Sequence, residues 1–566
     1  MSIQVDAHVA GQVMIGMVAS CGHQVIPFQV ISADIGCGIL LLPLVDGEGN
    51  HLSVKDMTPQ RRRLLRVQHL RACRGGLARG RDADDGKAST ALRFLARAFA
   101  FLGKQGDVQT HLLSISEMVR DLHIPVPEVA GKENLQVYND LVSGPLHGLP
   151  NAKEVAKAAI FAYKYAASLG NSGNHFAEMQ SSAKTGRLYV AVHSGSRGFG
   201  GRVYKILFHL SVLAGTPGVM HGQLAGLYGK YYAVLGEFAS LNRIICAMIV
   251  LEGMGLSTDP VVLRTVVAES PSVARVLKLA EDHARERTAN PEDLPMEVAK
   301  ARTATLDNLV MGMIHNGLKA FIAWDRSGKV TKILVVALKG AICVARAASL
   351  ATIALKAGDG VIVEYLGDPT VRCKEVPIPE AERLVAQGVP FETSLVNWKN
   401  EIFLAGHGAG RTGPADETAR LHTWDELVSG AKRRGYALNV GLSVLGDHPD
   451  GYKSSEEVLR RLEGAGEKEQ FITECSYKEG TGYKPHQEPK FKKFLRKCLQ
   501  MPPGKPSQFV WTCLDWGVVQ FFLDPIERER GGWLHRSAMR AYFSDAGVPI
   551  PQDLLEPEGG EGMAGA

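Results

Sequence analysis

The sequence predicts a mixed α+β fold, and three observations support this class. Short apolar runs broken by glycines fill the stretch from Val13 to Val45, a pattern typical of strands and tight turns. An alanine-rich segment over residues 152–169 has helical composition and is followed by Gly170, a common helix terminator. The 566 residues are 45% hydrophobic, enough to bury a large core. These patterns alone fit several α+β architectures.

Composition limits the class of protein. The formal net charge of +5 is mildly basic, which permits nucleic acid as a partner but does not indicate a dedicated nucleic-acid binder. The 9 cysteines include no CxxC pair, so neither a disulfide framework nor a zinc ribbon is indicated, and we expect a cytoplasmic protein. The N-terminal residues lack a secretion signal, and the apolar run Ile244 to Leu251 is too short to cross a bilayer. We therefore expect no membrane partner.

Arginines are concentrated in residues 55–110. A solvated helix face and loop is the simpler interpretation, and a patch that binds a nucleic-acid backbone is the alternative. The arginines concerned are Arg61, Arg62, Arg63, Arg66, Arg71, Arg74, Arg79 and Arg81.

Local patterns predict the remaining elements. Polar caps, glycines and apolar spacing set their expected boundaries. They are a helix over 152–169 capped by Asn151, a strand over 187–192, a helix over 202–214, a helix over 307–324 that carries His315, and a helix whose first position is Pro414.

Five short segments contain a side chain that can bind metal or attack phosphorus, and in four of them a glycine lets the backbone and a ligand approach closely. Any one of them is weak support for a function, but their joint presence in this order is stronger support. The segments are DIGCG at 34–38, GNHFAE at 173–178, HSGSRG at 193–198, HN at 315–316 and HGAGR at 407–411.

Five side chains of these segments supply one carboxylate, one thiolate and three imidazoles from distant parts of the chain. The set suits one or two divalent transition ions, because a thiolate can bridge two metals and imidazole binds Mn, Fe, Co or Zn. Two ions would serve phosphoryl transfer by offsetting charge at the phosphate. A lone histidine such as His315 on an apolar face is more often a satisfied core residue. The candidate ligands are Asp34, Cys37, His175, His193 and His315.

A fourth histidine, His407, lies between Gly406 and Gly408 and outside any apolar face. With open backbone on both sides, its imidazole could attack the α-phosphate of a nucleotide and hold the product as a phosphoramidate. The simpler interpretation is a histidine in a surface loop.

The five segments, in this order, resemble the signature of the RtcB family of RNA ligases, and DAHVAGQVMIG at 6–16 is similar to the stretch that precedes DIGCG there. The resemblance covers about residues 5–480. It implies an α+β fold with β-sheets and flanking helices around a central dinuclear metal cleft. It also implies a catalytic domain over 1–483, with an arginine-rich insertion at about 55–110, and a C-terminal extension over 484–566 whose acidic, glycine-rich end we expect to be disordered.

The resemblance assigns roles to individual residues. Cys37 would bridge two Mn²⁺ ions, one completed by His193 and His315 and the other by Asp34 and His175, and His407 would be guanylylated. The residues that would hold the guanine nucleotide are Asn174, Phe176, Glu178, Asn316, Gly408, Ala409, Gly410 and Lys478.

The implied activity is GTP-dependent joining of an RNA 3′-phosphate or 2′,3′-cyclic phosphate end to a 5′-hydroxyl end, in tRNA splicing or RNA repair, with a possible accessory activator. A 3′-phosphate has no leaving group until GMP is attached to it, which gives His407 its role. Two alternatives remain: a metal-dependent phosphoesterase or cyclic-phosphate hydrolase that has lost ligation, and a non-catalytic RNA-binding subunit.

The sequence departs from the family's pattern around the nucleotide. Pro414 and Ala415 stand where the family has a Ser-Arg pair, and Leu338 replaces an arginine before Lys339. Of the family's Pro-Gly-Ser-Met segment, only Gly367 has a counterpart. The resemblance therefore implies a divergent member with altered nucleotide handling.

Overall fold

The fold is described from a computed structural model. The predicted C-terminal extension, Asn174 and Gly367 lie outside the described residues. These are 2–10, 13–21, 25–27, 30–31, 33–77, 87–170, 175–346, 361–363, 372–439, 444–461 and 468–478.

The described chain is a mixed α+β structure with several sheets, which confirms the predicted class. Its strands are β1 (Ser2–Ala10), β2 (Val13–Ser20), β3 (Val25–Pro27), β4 (Gly38–Pro43), β5 (Phe176–Ser182), β6 (Leu188–Ser194), β7 (Val219–His221), β8 (Met313–Ile314), β9 (Asn316–Trp324), β10 (Val330–Lys339), β11 (Ala341–Ala345), β12 (Val361–Val363), β13 (Cys373–Val376), β14 (Ile402–Gly406), β15 (Ala437–Leu438) and β16 (Lys468–Tyr477).

The helices pack around and between these sheets. They are α1 (Pro59–Leu77), α2 (Lys87–Phe101), α3 (Val108–Asp121), α4 (Lys132–Ser143), α5 (Ala152–Tyr163), α6 (Arg197–Leu213), α7 (Gly222–Gly253), α8 (Pro260–Ala268), α9 (Pro271–Arg287), α10 (Leu294–Val310), α11 (Ile378–Ala386), α12 (Ala415–Leu421), α13 (Trp424–Arg434) and α14 (Ser455–Arg461).

The largest sheet has the order β12-β16-β5-β6-β4-β8, with β15 added beside β16. Its two faces differ, because successive side chains of a strand point to opposite sides. Leu40, Ala177 and Val192 belong to the main core that also contains the buried residues of α7, whereas Ile39 and Phe176 form a separate small cluster. Since Ile39 and Phe176 both pair with His193, that histidine lies on the second face, away from the main core.

Three further sheets complete the described strands. The first has the order β1-β2-β10-β9-β13, the second pairs β11 with β14, and the third pairs β3 with β7. Asn316 opens β9 directly after β8, so the segment around His315 connects the largest sheet to the first of these sheets. The same segment therefore contributes to two sheets.

Helix α7 forms the centre of the main core. It has 32 residues and is long and apolar enough to cross a bilayer, but 89% of its most apolar window is buried inside the protein. This is typical of a core helix. The run Ile244 to Leu251 thus belongs to a helix much longer than the run itself.

Several predicted boundaries are wrong in informative ways. The helix expected over 307–324 ends as α10 at Val310, and β8 and β9 follow, because pairing with β4 and β10 overrides the helical spacing. Gly312 and Gly317 have φ values of +76° and +130°, which an α-helix does not allow. The helix expected to reach residue 169 ends at Tyr163, and Asn151 makes no side-chain cap hydrogen bond.

Two predicted helix starts also move by a few residues. The helix expected from Arg202 begins earlier, at Arg197, and Pro414 is the residue before α12 rather than its first position. The strand predicted over 187–192 is present as β6.

The arginine-rich segment includes α1, and part of it is not a solvated face. Arg62 Nη2 and Arg66 Nη2 lie 2.6 and 2.7 Å from the carboxylate of Glu474, which is fully buried on β16. Ser181 Oγ donates to the same carboxylate at 2.7 Å. Burial alone would raise the pKa of Glu474, but Arg62, Arg66 and Ser181 outweigh it and hold the pKa below its usual value. These arginines therefore fix α1 against the largest sheet.

We predict that Glu474→Gln lowers the free energy of unfolding by roughly 2–3 kcal/mol, because it leaves two guanidinium groups without their carboxylate. Because the pKa of Glu474 is low in the folded protein, its ion pairs contribute fully to the free energy of unfolding at neutral pH. This contribution is lost as the pH falls through the folded-state pKa. Glu297→Gln is the matched control, since its pair with Lys300 is exposed and worth less than about 0.5 kcal/mol. Equal urea midpoints for the two variants would contradict a structural role for Glu474.

Candidate metal centre

The central strands of the largest sheet bring four predicted ligands together. Cys37 lies in the turn before β4, His193 near the end of β6 and His315 between β8 and β9, while His175 directly precedes β5. Gly38 pairs with both Ser194 and Ile314, which places the three neighbouring strands in register at this point. His315 N–H also donates to the Cys37 carbonyl at 2.9 Å. Residues far apart in sequence are therefore adjacent through strand pairing.

Two groups of side chains share Cys37. In the first, Cys37 Sγ lies 3.3 Å from His193 Nε2, which lies 3.2 Å from His315 Nε2. In the second, Cys37 Sγ lies 3.2 Å from His175 Nε2, which lies 2.9 Å from Asp34 Oδ2. Within each group the potential ligand atoms lie within 4.8 Å of one another. This arrangement can hold two metal ions joined by one thiolate.

The hydrogen-bond pattern of His175 tests whether these residues fit a cation. His175 Nδ1 lies 2.7 Å from the Leu169 carbonyl and 2.7 Å from Arg197 Nη1. The carbonyl can only accept and the guanidinium can only donate, so each contact excludes the other. With hydrogen on Nδ1, Leu169 accepts it, and the Nε2 lone pair faces Cys37 Sγ and Asp34 Oδ2. Three electron-rich atoms then face one another, an arrangement that a cation stabilises.

The local electrostatic environment favours the protonation states in which His175 and Asp34 can bind a metal ion. Burial lowers the pKa of His175, which favours the neutral imidazole. Burial opposes ionisation of Asp34, but its contacts with His175 and Arg197 outweigh burial and hold the pKa of Asp34 below its usual value. Burial and then the charge of Asp34 raise the pKa of the Cys37 thiol, although Arg243 and Arg197 act in the opposite direction. A bound cation would supply the charge that turns this thiol into a thiolate.

Arg243 on α7 stabilises the backbone next to the candidate metal ligands. Its fully buried Nη1 donates to the carbonyls of Gly36 and Ser194 at 2.7 and 2.8 Å, and so ties the turn that carries Cys37 to the end of the strand that carries His193. The sequence analysis missed this residue. The available signal was a single arginine just before the apolar run Ile244 to Leu251, because a charge in such a helix needs buried partners.

Gly195 lets the backbone approach the centre closely. A Cβ at this position would lie 2.6 Å from Asp34 Oδ1 and 3.0 Å from Cys37 Cα. The first glycine of HSGSRG is thus required because a side chain there would meet the ligands. Arg197, which begins α6, donates its backbone N–H to Asp34 Oδ1 at 3.1 Å.

His407 lies beside the first group of ligands. It follows β14, whose Gly406 pairs with Ala341 of β11, and its ring centroid lies 4.7 Å from that of His315. A Cβ on Gly340 would meet His407 Cε1 at 3.0 Å, so this glycine gives the imidazole its room. His407 is 4% exposed, which rejects the interpretation as a histidine of a surface loop.

The predicted nucleotide-contacting residues fall into two sets. Phe176 is buried with its ring edge-on to His193, and Glu178 follows on the same strand. Glu178 accepts from Ser476 Oγ at 2.8 Å, and burial raises its pKa while Lys478 partly offsets that rise. Lys478 Nζ is buried and lies 3.9 Å from Asp447.

The second set surrounds the loop after His407. Asn316 Oδ1 accepts from Gly340 N–H at 2.8 Å, and Gly410 has a left-handed φ of +72°. The other members, Gly408 and Ala409, are buried in this loop.

A network that the sequence analysis did not predict fixes the same loop. Arg411 donates to the Gly446 carbonyl at 2.6 Å and forms an ion pair with Asp447, while Tyr452 donates to Asp447 Oδ1 at 2.6 Å. Lys453 N–H donates to the Gly410 carbonyl at 3.0 Å. Segment 444–453 therefore holds the backbone that follows His407.

A shared thiol, three imidazoles and a carboxylate, with a fourth imidazole alongside, define an α+β protein with a candidate dinuclear metal centre. Residues 1–214 match the model of the family described as tRNA-splicing ligase RtcB. This match confirms the resemblance to the RtcB family over that part of the chain. The matched part includes Asp34, Cys37, His175 and His193, whereas His315 and His407 lie beyond it. No curated protein matches the chain.

We predict that Gly195→Ala weakens Mn²⁺ binding on the order of 10-fold to 100-fold, because the added methyl group displaces Asp34 and the Cys37 backbone. Gly201→Ala is the matched control, since its Cβ would meet only the Ala33 carbonyl, at 3.9 Å. Equilibrium dialysis gives the bound Mn²⁺ per chain. Unchanged binding in Gly195→Ala would contradict the assignment of ligands.

Proposed function

We propose that the chain is a GTP-dependent RNA ligase that joins 3′-phosphate or 2′,3′-cyclic phosphate ends to 5′-hydroxyl ends through a GMP–His407 intermediate. The observation that carries this proposal is the position of the His407 ring, 4.7 Å from that of His315 and therefore next to the candidate metal ligands. A nucleophile that acts on a nucleotide phosphate needs such a neighbour, because charge accumulates at phosphorus as the new bond forms.

In this proposal Cys37, His193 and His315 would hold one Mn²⁺ ion, and Cys37, Asp34 and His175 would hold the other. Bound there, they would offset the negative charge of the phosphates and orient the reacting oxygens. The RtcB resemblance favours manganese, and ligand chemistry alone also allows Fe, Co or Zn.

His407 performs the first step. An imidazole nitrogen forms a bond to the α-phosphorus of GTP as the bond to pyrophosphate breaks, and pyrophosphate leaves. Because His407 is 4% exposed, little water competes for the activated phosphate. Water opens a 2′,3′-cyclic end to a 3′-phosphate by breaking the bond to the 2′-oxygen. The RNA 3′-phosphate then takes GMP from His407, and the 5′-hydroxyl of the second RNA displaces GMP as the strands join.

Glu178 and Lys478 are proposed to select the base. A buried carboxylate accepts hydrogen bonds from the N–H groups of guanine, whereas adenine presents no matching pair of donors. Lys478 Nζ has no hydrogen-bond partner among the described residues, so this donor is available to a bound nucleotide. Arg197 Nε also has no acceptor there and is available to a phosphate oxygen.

The partners in this proposal are RNA and GTP, and the compartment is the cytoplasm. No disulfide joins the cysteines in the described part of the chain, which is compatible with this compartment.

A metal-dependent hydrolase of cyclic phosphates is the second candidate. Leu338, which replaces an arginine of the family, is fully buried in the five-stranded sheet, so this position offers no charge to a phosphate. Pro414 and Ala415 likewise provide no polar side chain at the start of α12. An enzyme with the metal ligands but a reduced nucleotide site could open the ring without joining strands.

We predict that Mn²⁺ and α-labelled GTP transfer an acid-labile label to the wild-type protein and none to His407→Ala, because the variant lacks the attacking nitrogen. His209→Ala is the control, since His209 is an exposed histidine of α6 and is not one of the proposed ligands. Label that persists on His407→Ala would refute the nucleophile.

RNA joining separates the two candidate functions. A 5′-hydroxyl RNA mixed with a 2′,3′-cyclic phosphate RNA should yield the longer strand when GTP and Mn²⁺ are present. We expect no joined product without GTP, since the 3′-phosphate then lacks a leaving group. Ring opening without the longer strand, in the presence of GTP, would favour the hydrolase.

A further inference from the structure

A cleft of about 700 Å³ opens beside β4 and β8, at one edge of the largest sheet. Its walls come from these strands, from α7, from the turn between α8 and α9, and from β9 and β13. Ile39 and Ile314 line the cleft, and they lie two residues after Cys37 and one residue before His315. The inner end of the cleft is therefore next to two of the candidate metal ligands.

The first turn of α9 places backbone N–H groups at this cleft. Ser270, Pro271, Ser272 and Val273 all line it, and α9 runs for 17 residues from Pro271. The first hydrogen bond of the helix joins Ala274 N–H to the Ser270 carbonyl at 2.8 Å, so the N–H groups of Ser272 and Val273 have no acceptor within the helix. Such groups bind phosphate, because the positive end of the helix dipole adds to their attraction.

Ser270 is a second and independent indication of a ligand at the same place. Its side chain makes no cap hydrogen bond to α9, and its hydroxyl has no hydrogen-bond partner among the described residues. Ser270 is only 8% exposed and lines the cleft. A buried hydroxyl without a partner costs free energy, which an oxygen atom of a ligand in the cleft would recover.

The start of α9 is linked to the inner end of the cleft through the end of α10. Leu309 packs against the cluster that contains Val273. The Leu309 carbonyl accepts from Gly312 N–H at 3.4 Å, and a Cβ on Gly312 would lie 2.5 Å from the Ile39 carbonyl. A chain that leaves the candidate centre along the cleft therefore passes the first turn of α9.

The charged side chains of the cleft largely neutralise one another. Lys104 Nζ lies 3.1 Å from Glu237, and Lys319 Nζ lies 2.8 Å from Glu375. Lys374 of β13 is exposed and adds a positive charge to the wall. The N–H groups at the start of α9 and the hydroxyl beside them are thus the donors that remain for an anionic group.

Aromatic side chains line the same cleft on the face of the sheet. Tyr189 and Phe471 have ring centroids 5.5 Å apart, and Phe471 lies on β16, four strands away from β8. Glu469, the remaining carboxylate of the cleft, also lies on β16 and accepts from Ser182 Oγ. Aromatic rings of this kind stack with the bases of single-stranded RNA.

We propose that this cleft binds the single-stranded RNA next to its reacting end, and that the start of α9 holds a phosphate of the RNA backbone. Ser270 Oγ and the N–H groups of Ser272 and Val273 donate to that phosphate, and Tyr189 offers its ring to a base. The inference rests on the proposed ligase function, because ligation requires an RNA end at the candidate centre. It adds the path by which the strand leaves that centre.

The neighbouring helix shows how this site can be closed by one substitution. Asp259 precedes Pro260 at the start of α8, as Ser270 precedes Pro271, and its carboxylate accepts from Val261 and Val262 N–H at 2.8 and 3.2 Å. In Ser270→Asp the new carboxylate should occupy the N–H groups of α9 in the same way and repel phosphate. Aspartate is a favoured cap residue, so the helix should be retained.

The test is RNA binding by the full-length protein, measured by fluorescence anisotropy with Mn²⁺ and without GTP, so that no strands are joined. The probe is a single-stranded oligonucleotide with a 3′-phosphate and a dye at its other end. Ser270→Asp should raise its dissociation constant on the order of 10-fold, and Ser270→Ala should raise it less. Asn151→Asp is the matched control, because it adds the same charge at the start of α5, outside the cleft.

A dissociation constant for Ser270→Asp equal to that of the wild type would overturn the proposal. The thermal unfolding midpoint shows whether the variant is folded. Should Ser270→Asp unfold at a lower temperature than the wild type, Ser270→Ala decides in its place, and an unchanged dissociation constant for that variant would also overturn the proposal.

A shorter probe separates a backbone phosphate of RNA from a free anion as the occupant. A nucleoside 3′-phosphate ends at the candidate centre, so Ser270→Asp should affect the oligonucleotide and not this probe. An equal loss of affinity for both probes would contradict a bound RNA strand. Labelling of the wild type by GTP tests the proposed function separately: a labelled wild type that binds RNA no better than Ser270→Asp refutes this inference alone.

Discussion

The thiol of Cys37, buried between the Nε2 atoms of His175 and His193, is the contact on which the arrangement of the site depends. Both distances are short, at 3.2 and 3.3 Å, so three separate segments must be positioned to within a few tenths of an ångström. Gly36 turns the chain with a left-handed φ of +70°, and at Gly38 a Cβ would meet the Met313 carbonyl at 2.2 Å. Glycine is therefore required at both positions of DIGCG so that the backbone can place the sulfur of Cys37 between the two histidines.

Strand pairing supplies that positioning, and a buried charge reinforces it. Cys37, His193 and His315 lie next to one another because β4 pairs with β6 on one side and with β8 on the other. Arg243 then ties the two segments nearest the sulfur through their carbonyls. A fully buried guanidinium is costly without compensation, and the two carbonyls together with the nearby carboxylate of Asp34 provide part of that compensation. Fold stability and ligand geometry are therefore linked at this one residue.

The sequence predicted the mixed fold, most of the early strands and the identity of the residues that converge. It did so through local motifs, because glycines beside Cys37, His193 and His407 indicate close backbone approach. Their convergence rests on strand pairings between distant segments, which no local spacing encodes. His315 shows the limit most clearly, since its apolar neighbours have helical spacing while its backbone joins two strands. Arg243, Glu474 and the partners of Arg411 were missed for the same reason, because these contacts join distant parts of the chain.

Anomalous diffraction from crystals grown with Mn²⁺, recorded at the manganese absorption edge, tests the central claim most directly. A shared thiolate requires two peaks, both within bonding distance of Cys37 Sγ, one between His193 and His315 and the other between Asp34 and His175. Peaks that lie away from Cys37, or a single ion that leaves its sulfur outside bonding distance, would contradict the account.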